Sequence, residues 1–362
     1  MISAGALPIL VGLMEASPCR DTRSQCAWAL GNVTGDGAAS RDRALEAGLL
    51  AALVRMFQPG AGGDGDHALE KQVVWLLSNV FRFKPRPPVT PAEEPLLAML
   101  ARWAAQGGEA AIDAAWTLSY VSDHGANLQA CARAGAMAAM LPLLRAGGGG
   151  GGELSVTPAL RVFGNFVSGS EAETQYALDT GALRLLPALL SHPKRSIRKE
   201  ALWAVSNVCA GSPAQARLVD EEGLWPAVLA GGDDAEENVA REAVWACANA
   251  LTSQGSAGAR HLVGLGVLQL FQRFLSRPAP SVSENALCCV LEGLGKMLVA
   301  AAADKDGEGD AWLEDLREAF EDCELGDCVM AVHEAGTGER KLRARAVLEI
   351  LGTHILSERG EG

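Results

Sequence analysis

Aromatic residues are scarce: Phe, Trp and Tyr make up 5% of the 362 residues, and only two are Tyr. Alternating β-branched runs and Asn-Gly hairpin turns are missing, which excludes an ordinary β-sheet protein. No stretch reaches the about 18–20 uninterrupted apolar residues of a membrane-spanning helix. The first residues, Met1-Ile2-Ser3-Ala4-Gly5-Ala6-Leu7, carry no basic n-region and no cleavage-type signal, so the expectation is an intracellular chain without a membrane partner. Positive charge is also short. Lys and Arg total 31 against 44 Asp and Glu, a formal charge of 31 − 44 = −13. A phosphate backbone needs a basic footprint, so nucleic acid is excluded as a partner and a basic partner is favoured.

Catalytic and metal motifs are absent as well. The six His (67, 124, 192, 261, 333 and 354) show no metal spacing, and there is no P-loop, GxSxG or HExxH. The expectation is a non-enzyme with no metal and no cofactor. Of nine Cys, most fall in apolar helical runs (Cys26, Cys209, Cys247, Cys288, Cys289) and are read as free buried thiols. Cys323 and Cys328 have no partner ligands nearby in sequence.

What the chain does have is an internal repeat of the form Trp, three residues, Asn. It occurs as Trp28-Ala-Leu-Gly-Asn32, Trp75-Leu-Leu-Ser-Asn79, Trp203-Ala-Val-Ser-Asn207 and Trp245-Ala-Cys-Ala-Asn249. Trp116-Thr-Leu-Ser-Tyr120 keeps the Trp, Arg161-Val-Phe-Gly-Asn165 keeps the Asn, and Glu292-Gly-Leu-Gly-Lys296 keeps neither. Successive spacings are 47, 41, 45, 42, 42 and 47 residues. A period of about 44 lies in the range of armadillo and HEAT helical repeats. Between the copies, apolar helical segments begin at Ala47-Gly48, Ala134-Gly135, Thr180-Gly181 and Glu222-Gly223, where Gly suits a tight interhelical turn. The expected fold is an all-α, right-handed superhelical solenoid of armadillo repeats, with the Trp-bearing helix last in each repeat and lining a concave face. Residues 1–358 are read as one array of about eight repeats, with the first and last partial or atypical, and residues 359–362 as a tail. The proline-rich stretch 85–91 and the segments 60–66, 147–152 and 304–310 read as loops.

Residues i and i+4 share a helix face, so each Trp–Asn pair is one patch of surface. A side-chain amide offers one acceptor and two donors, which can engage both the N–H and the C=O of an extended peptide. Slots between successive indoles suit the aliphatic stems of Lys or Arg, each with a cation–π attraction of about 0.5–2 kcal/mol. Carboxylates at the slot ends would select positive charge. A lone Trp on an apolar helix is ordinarily core, and Trp103, Trp225 and Trp312, which lack the paired Asn, are assigned to packing.

These residues resemble the armadillo-repeat adaptor family importin-α (karyopherin-α). Residues 28–42 (WALGNVTGDGAASRD), 75–88 (WLLSNVFRFKPRPP), 116–123 (WTLSYVSD), 157–169 (TPALRVFGNFVSG), 199–211 (KEALWAVSNVCAG) and 242–249 (EAVWACAN) carry the resemblance, which covers most of 1–300 and fades afterwards. The half-matches Trp116/Tyr120 and Arg161/Asn165 fall where the family also departs from Trp–Asn. The resemblance implies a non-enzymatic nuclear import adaptor that binds Lys/Arg-rich localisation signals and shuttles between cytoplasm and nucleus. It implies a major site from Gln25, Trp28, Asn32, Asp36, Gln72, Trp75, Asn79, Asp113 and Trp116, with Asp36 receiving a key lysine. It implies a minor site from Glu200, Trp203, Asn207, Glu242, Trp245 and Asn249, with Arg161, Asn165, Ser168 and Glu171 between the two.

Against the family's pattern, this sequence begins inside the third repeat and shows no N-terminal Lys/Arg cluster. Docking on importin-β would therefore need a segment upstream of Met1. The family's nuclear export receptor would meet the C-terminal helices, residues 341–356. The competing reading is a general armadillo scaffold for acidic or apolar partners, which the −13 charge disfavours.

Overall fold

The computed structural model describes residues 5–58, 66–147, 153–277, 283–303 and 309–352. Every regular element among the described residues is helical. The chain is an all-α armadillo-repeat solenoid, and it divides into two compact units, Met1–Leu185 and Leu186–Gly362. Residues 60–65, 148–152 and 304–308 of the expected loops, and the 359–362 tail, lie outside the described residues.

Each repeat ends in a long helix that carries the Trp–Asn position. In unit 1 these are Arg20–Gly35, His67–Arg82, Glu109–Ser122 and Glu153–Val167, each packed on the next. In unit 2 they are Arg195–Cys209, Glu237–Ser253, Glu284–Ala303 and Gly338–Leu351, likewise in succession. One side of these helices is core. The residue two beyond each Trp position (Leu30, Leu77, Leu118 and Phe163 in unit 1; Val205, Cys247 and Leu294 in unit 2) is 0% exposed. Burying such a side chain stabilises by about 1.5–3 kcal/mol. Because +2 points inward, the Trp and the +4 residue are carried on the other side, and the sequence pattern becomes a surface. Glu284–Ala303 is long and apolar enough to cross a membrane by length and composition, but half of it is buried among the neighbouring helices.

The shorter helices start and stop on recognisable signals. Ser170 and Ser212 form capping boxes with Glu173 and Gln215. The helix His67–Arg82 stops ahead of the proline-rich stretch, and a single 3-10 turn follows at Pro91–Glu93. The turn between the first and second helices of a repeat uses a left-handed residue: Gly48 (φ 87°), Gly135 (73°), Gly181 (77°), Gly223 (66°) and Gly266 (96°). In the last repeat Glu324 occupies that turn at φ 54°. A side chain in this region costs about 1–2 kcal/mol, and restoring Gly returns some of that to unfolded-state entropy. Glu324→Gly is therefore expected to raise the stability of unit 2 by about 0.5–1 kcal/mol, read as a higher urea midpoint.

Trp225 and Trp312 are core residues, 2% and 5% exposed. Trp103 is half-buried and donates its indole N–H to Glu70 at 2.7 Å. All nine Cys are free thiols, and burial pushes Cys131 and Cys247 up to about 12.

Candidate functional site

In unit 1 the Trp–Asn positions form a continuous row because the residue before each Asn is small. Gly31 lies against the Trp75 indole so closely that a Cβ there would overlap the six-membered ring. Gly35 lies close to the Asn79 amide, where a Cβ would stand 3.3 Å away, a tight contact short of overlap. Asn79 Nδ2 donates to the Gly31 carbonyl at 3.3 Å, reaching from one repeat to the one before. Asn165 does the same, donating to the Ser119 carbonyl at 3.0 Å and to Ser122 Oγ at 2.9 Å. In unit 2 Asn249 Nδ2 donates to the Ser206 carbonyl at 2.9 Å. The Ser hydroxyls turn back onto their own helices, Ser78 to the Trp75 carbonyl at 2.8 Å and Ser206 to that of Trp203 at 2.9 Å. So part of the amide capacity read from the sequence is already committed between repeats. Asn79 and Asn249 keep one N–H and Oδ1 for a ligand, and Asn165 keeps Oδ1.

The remaining unit 1 positions differ in exposure. Trp28 is 53% exposed, and Asn32 donates only to the Trp28 carbonyl of its own helix, at 3.1 Å. Gln25 is exposed, Gln72 and Trp75 are half-buried, and Asn79 is buried. Asp36 sits exposed at the C-terminus of the Trp28 helix, accepting from Ser40 Oγ at 3.1 Å. Asp113 is half-buried. Burial raises its carboxyl and Glu109 adds to this, while Lys71, which pairs with Glu109 at 2.9 Å, pulls it down.

The Trp116 step departs from the plain ladder. Trp116 stacks on Tyr120 with centroids 5.6 Å apart and an interplanar angle of 29°. The Arg161 guanidinium lies 6.0 Å from the Trp116 centroid, and that of Arg86 lies 5.5 Å from the Tyr120 centroid. Arg86 also donates to the Phe81 carbonyl at 3.1 Å and pairs with Asp123, which Lys84 joins at 3.1 Å. Burial pushes the Asp123 carboxyl up, but the bonds from Lys84 and Arg86 outweigh it and hold it below the ordinary range. Ser168 is exposed and donates to the Asn165 carbonyl, and Glu171 is exposed at the start of the next helix.

In unit 2, Trp203, Asn207, Trp245 and Asn249 line one cleft of about 470 Å³. The rest of its lining is Glu292, at the next position of the repeat, together with Glu284, Asn285, Cys288, Cys289, Glu339 and Arg343, which the Trp–Asn pattern did not pick out. Glu292 stands at the Trp position and pairs with Lys296 at the Asn position (2.7 Å) and with Arg343. Trp245 Nε1 is buried with no hydrogen-bond partner. Glu242 is 6% exposed with Oε2 unpartnered. Burial raises its carboxyl, with Arg241 and Lys199 opposing and Glu200 adding to the rise. Glu200 itself is half-buried and 3.5 Å from Lys199.

The comparisons bear on the family and the fold. The Armadillo/beta-catenin-like repeat family matches residues 1–35 and 170–210. Importin subunit alpha-5 of Arabidopsis thaliana is 30% identical over 356 residues, 96% of this chain and 65% of the relative. Importin subunit alpha-1b of Oryza sativa subsp. japonica is 37% identical over 206 residues, 56% of this chain and 37% of the relative. The chain is an importin-α-like armadillo-repeat protein. It spans less than half the length of rice importin subunits alpha-1b and alpha-1a, 37% and 41% of them. An engineered protein of known crystal structure superposes with a TM-score of 0.73 at 18% identity, covering 97% of this chain and 90% of its own. A designed armadillo repeat protein gives 0.58 at 22% identity over 67% of this chain and 99% of its own. These two likenesses concern the fold.

Within this importin-α-like chain, Gly31, Trp75 and Asn79 pack on one another, and the exposed Trp28 lies on the same helix as Gly31. Asp36 joins it through the end of the Trp28 helix, and Asp113 through the neighbouring helix. Glu171 lies on the following short helix instead of on the ladder. Among the described residues no group of three or more His, Cys, Asp or Glu could hold a metal ion.

Proposed function

We propose that this chain is a non-enzymatic nuclear import adaptor that binds Lys/Arg-rich localisation signals in extended form along its Trp/Asn face. The observation that carries the reading is the indole–amide row, Trp28/Trp75 in unit 1 with Asp36 exposed at the end of the Trp28 helix and Asp113 on the next long helix, and Trp203/Trp245 in unit 2 with Glu200 and Glu242 on the same two helices. Basic side chains would lie between indoles with their stems on the rings and their charges toward these carboxylates. Gln25 and Gln72 would add polar contacts beside them. Arg161, Asn165, Ser168 and Glu171 would meet the ligand between the two basic segments. Relatives named as importin α subunits support shuttling between cytoplasm and nucleus. Contact with importin-β would follow only if a segment precedes Met1, and an export receptor would meet the C-terminal helices.

Trp28 makes the test clean, because a residue 53% exposed can be removed with little effect on folding. A fluorescent basic signal peptide is titrated against wild type, Trp28→Ala/Asn32→Ala and Trp203→Ala/Asn207→Ala, with helicity followed by circular dichroism. Losing one cation–π contact and one amide bond is expected to weaken each site about ten- to a hundredfold. Unchanged affinity in both double variants, or stronger binding of an acidic control peptide, overturns the reading.

A further inference from the structure

We propose that the Trp116–Tyr120 step is a cation slot filled by the chain itself, in which Arg86 stands where a ligand's Lys or Arg would sit. Arg86 thereby limits the length of basic peptide that unit 1 accepts. This rests on the peptide-binding reading and adds to it a determinant of ligand length.

The slot has what a cation needs. Tyr120 supplies an aromatic face 5.5 Å from the Arg86 guanidinium, and Asp123 supplies a carboxylate paired with it. The Phe81 carbonyl accepts from Arg86 Nε at 3.1 Å. Arg86 is only 11% exposed, so it is an inserted group rather than a loose surface charge. Its neighbour Trp116 already has Arg161 at 6.0 Å from its ring. Both aromatic rings of this step therefore carry a guanidinium from the chain, whereas Trp28, two repeats earlier, is 53% exposed. Arg86 comes from the segment after the Trp75 helix, whose neighbour in unit 1 is the Trp116 helix, so the filled slot follows the Trp75 position along the row. A basic peptide extending past Trp75 would meet the guanidiniums of Arg86 and Arg161, with the exposed Lys84 ammonium also on Asp123 at 3.1 Å, and its next cation could settle only by displacing Arg86 from Asp123.

The test compares labelled (Lys-Arg)2 and (Lys-Arg)4 peptides on proteins carrying Trp203→Ala/Asn207→Ala, which silences the second cleft. Arg86→Met keeps the stem packed and removes the charge. It is expected to bind (Lys-Arg)4 about 2- to 30-fold more tightly than the parent does, the range one cation–π contact supplies, with (Lys-Arg)2 unchanged. Arg86→Lys refills the slot and should behave as the parent. Arg86→Met/Asp123→Asn should lose the gain, because the freed slot then lacks its carboxylate. Equal length dependence in the parent and Arg86→Met, or a gain that survives Asp123→Asn, overturns the inference. Failure of the parent to bind (Lys-Arg)2 overturns the peptide reading itself and this inference with it.

Discussion

Arg41→Ala is expected to destabilise unit 1 by about 3–5 kcal/mol, the largest effect of any single substitution considered. Arg41 sits on the short helix Ala38–Glu46 and is 1% exposed. Its guanidinium donates to the carbonyls of Val80 (3.3 Å), Phe83 (2.8 Å) and Pro85 (2.8 Å), and to Asp42 at 2.6 Å. Val80 lies in the last turn of the Trp75 helix, where carbonyls have no intrahelical donor and the helix dipole is negative. One buried cation therefore closes the helix end and holds the start of the proline-rich segment. Removing it strands several acceptors and leaves a cavity. Arg41→Met, which fills the volume without donors, should recover only the cavity part. Hydrogen exchange of the amides in His67–Arg82 is the measurement, since the two compact units need not unfold together. Exchange in Arg41→Ala as slow as in wild type would refute the prediction.

Gly31→Leu is expected to cost a net of about 1–2 kcal/mol and to weaken basic-peptide binding in unit 1. Two opposing effects decide the sign. Replacing a helical Gly by Leu gains most of about 1 kcal/mol in helix propensity. Against that, even a Cβ at Gly31 overlaps the Trp75 ring, and overpacking of this kind costs about 1–3 kcal/mol or more. The overlap wins because Trp75 is itself held between helices, and the Asn79 bond to the Gly31 carbonyl stretches as the helices part. Pairing Gly31→Leu with Trp75→Ala should return stability without returning binding. A double-mutant cycle with coupling below about 0.5 kcal/mol would show that the two residues act independently.

Much of this was legible in the sequence because it repeats. The period placed the long helices, the buried Leu30, Leu77 and Leu118 lie at the same offset from each Trp position, and the small-Gly pairs at Gly48, Gly135, Gly181 and Gly223 became left-handed turns. The side chains that matter most to the site's shape were less visible. Arg41 and Arg86 bind backbone carbonyls, and a carbonyl has no residue type to read. Gly31 carries no signal in the sequence, since its close approach to Trp75 exists only once the helices pack. The repeat marks Glu292 as a position without Trp, but its pairing with Arg343 joins residues far apart in sequence.

The socket at Gly31 also bears on how such an array can be rearranged. The contact between successive repeats differs along the chain: Gly31 faces the Trp75 ring of the next repeat, while Ala248 is approached by Gly293 of the next repeat, where a Cβ would stand 3.1 Å from Ala248 backbone atoms. A cassette carrying Trp75 would not seat behind Ala248 as it does behind Gly31. Swapping, duplicating or deleting repeats should therefore succeed only when a donor repeat travels with the one before it, so that the portable element of this protein is a junction of two repeats.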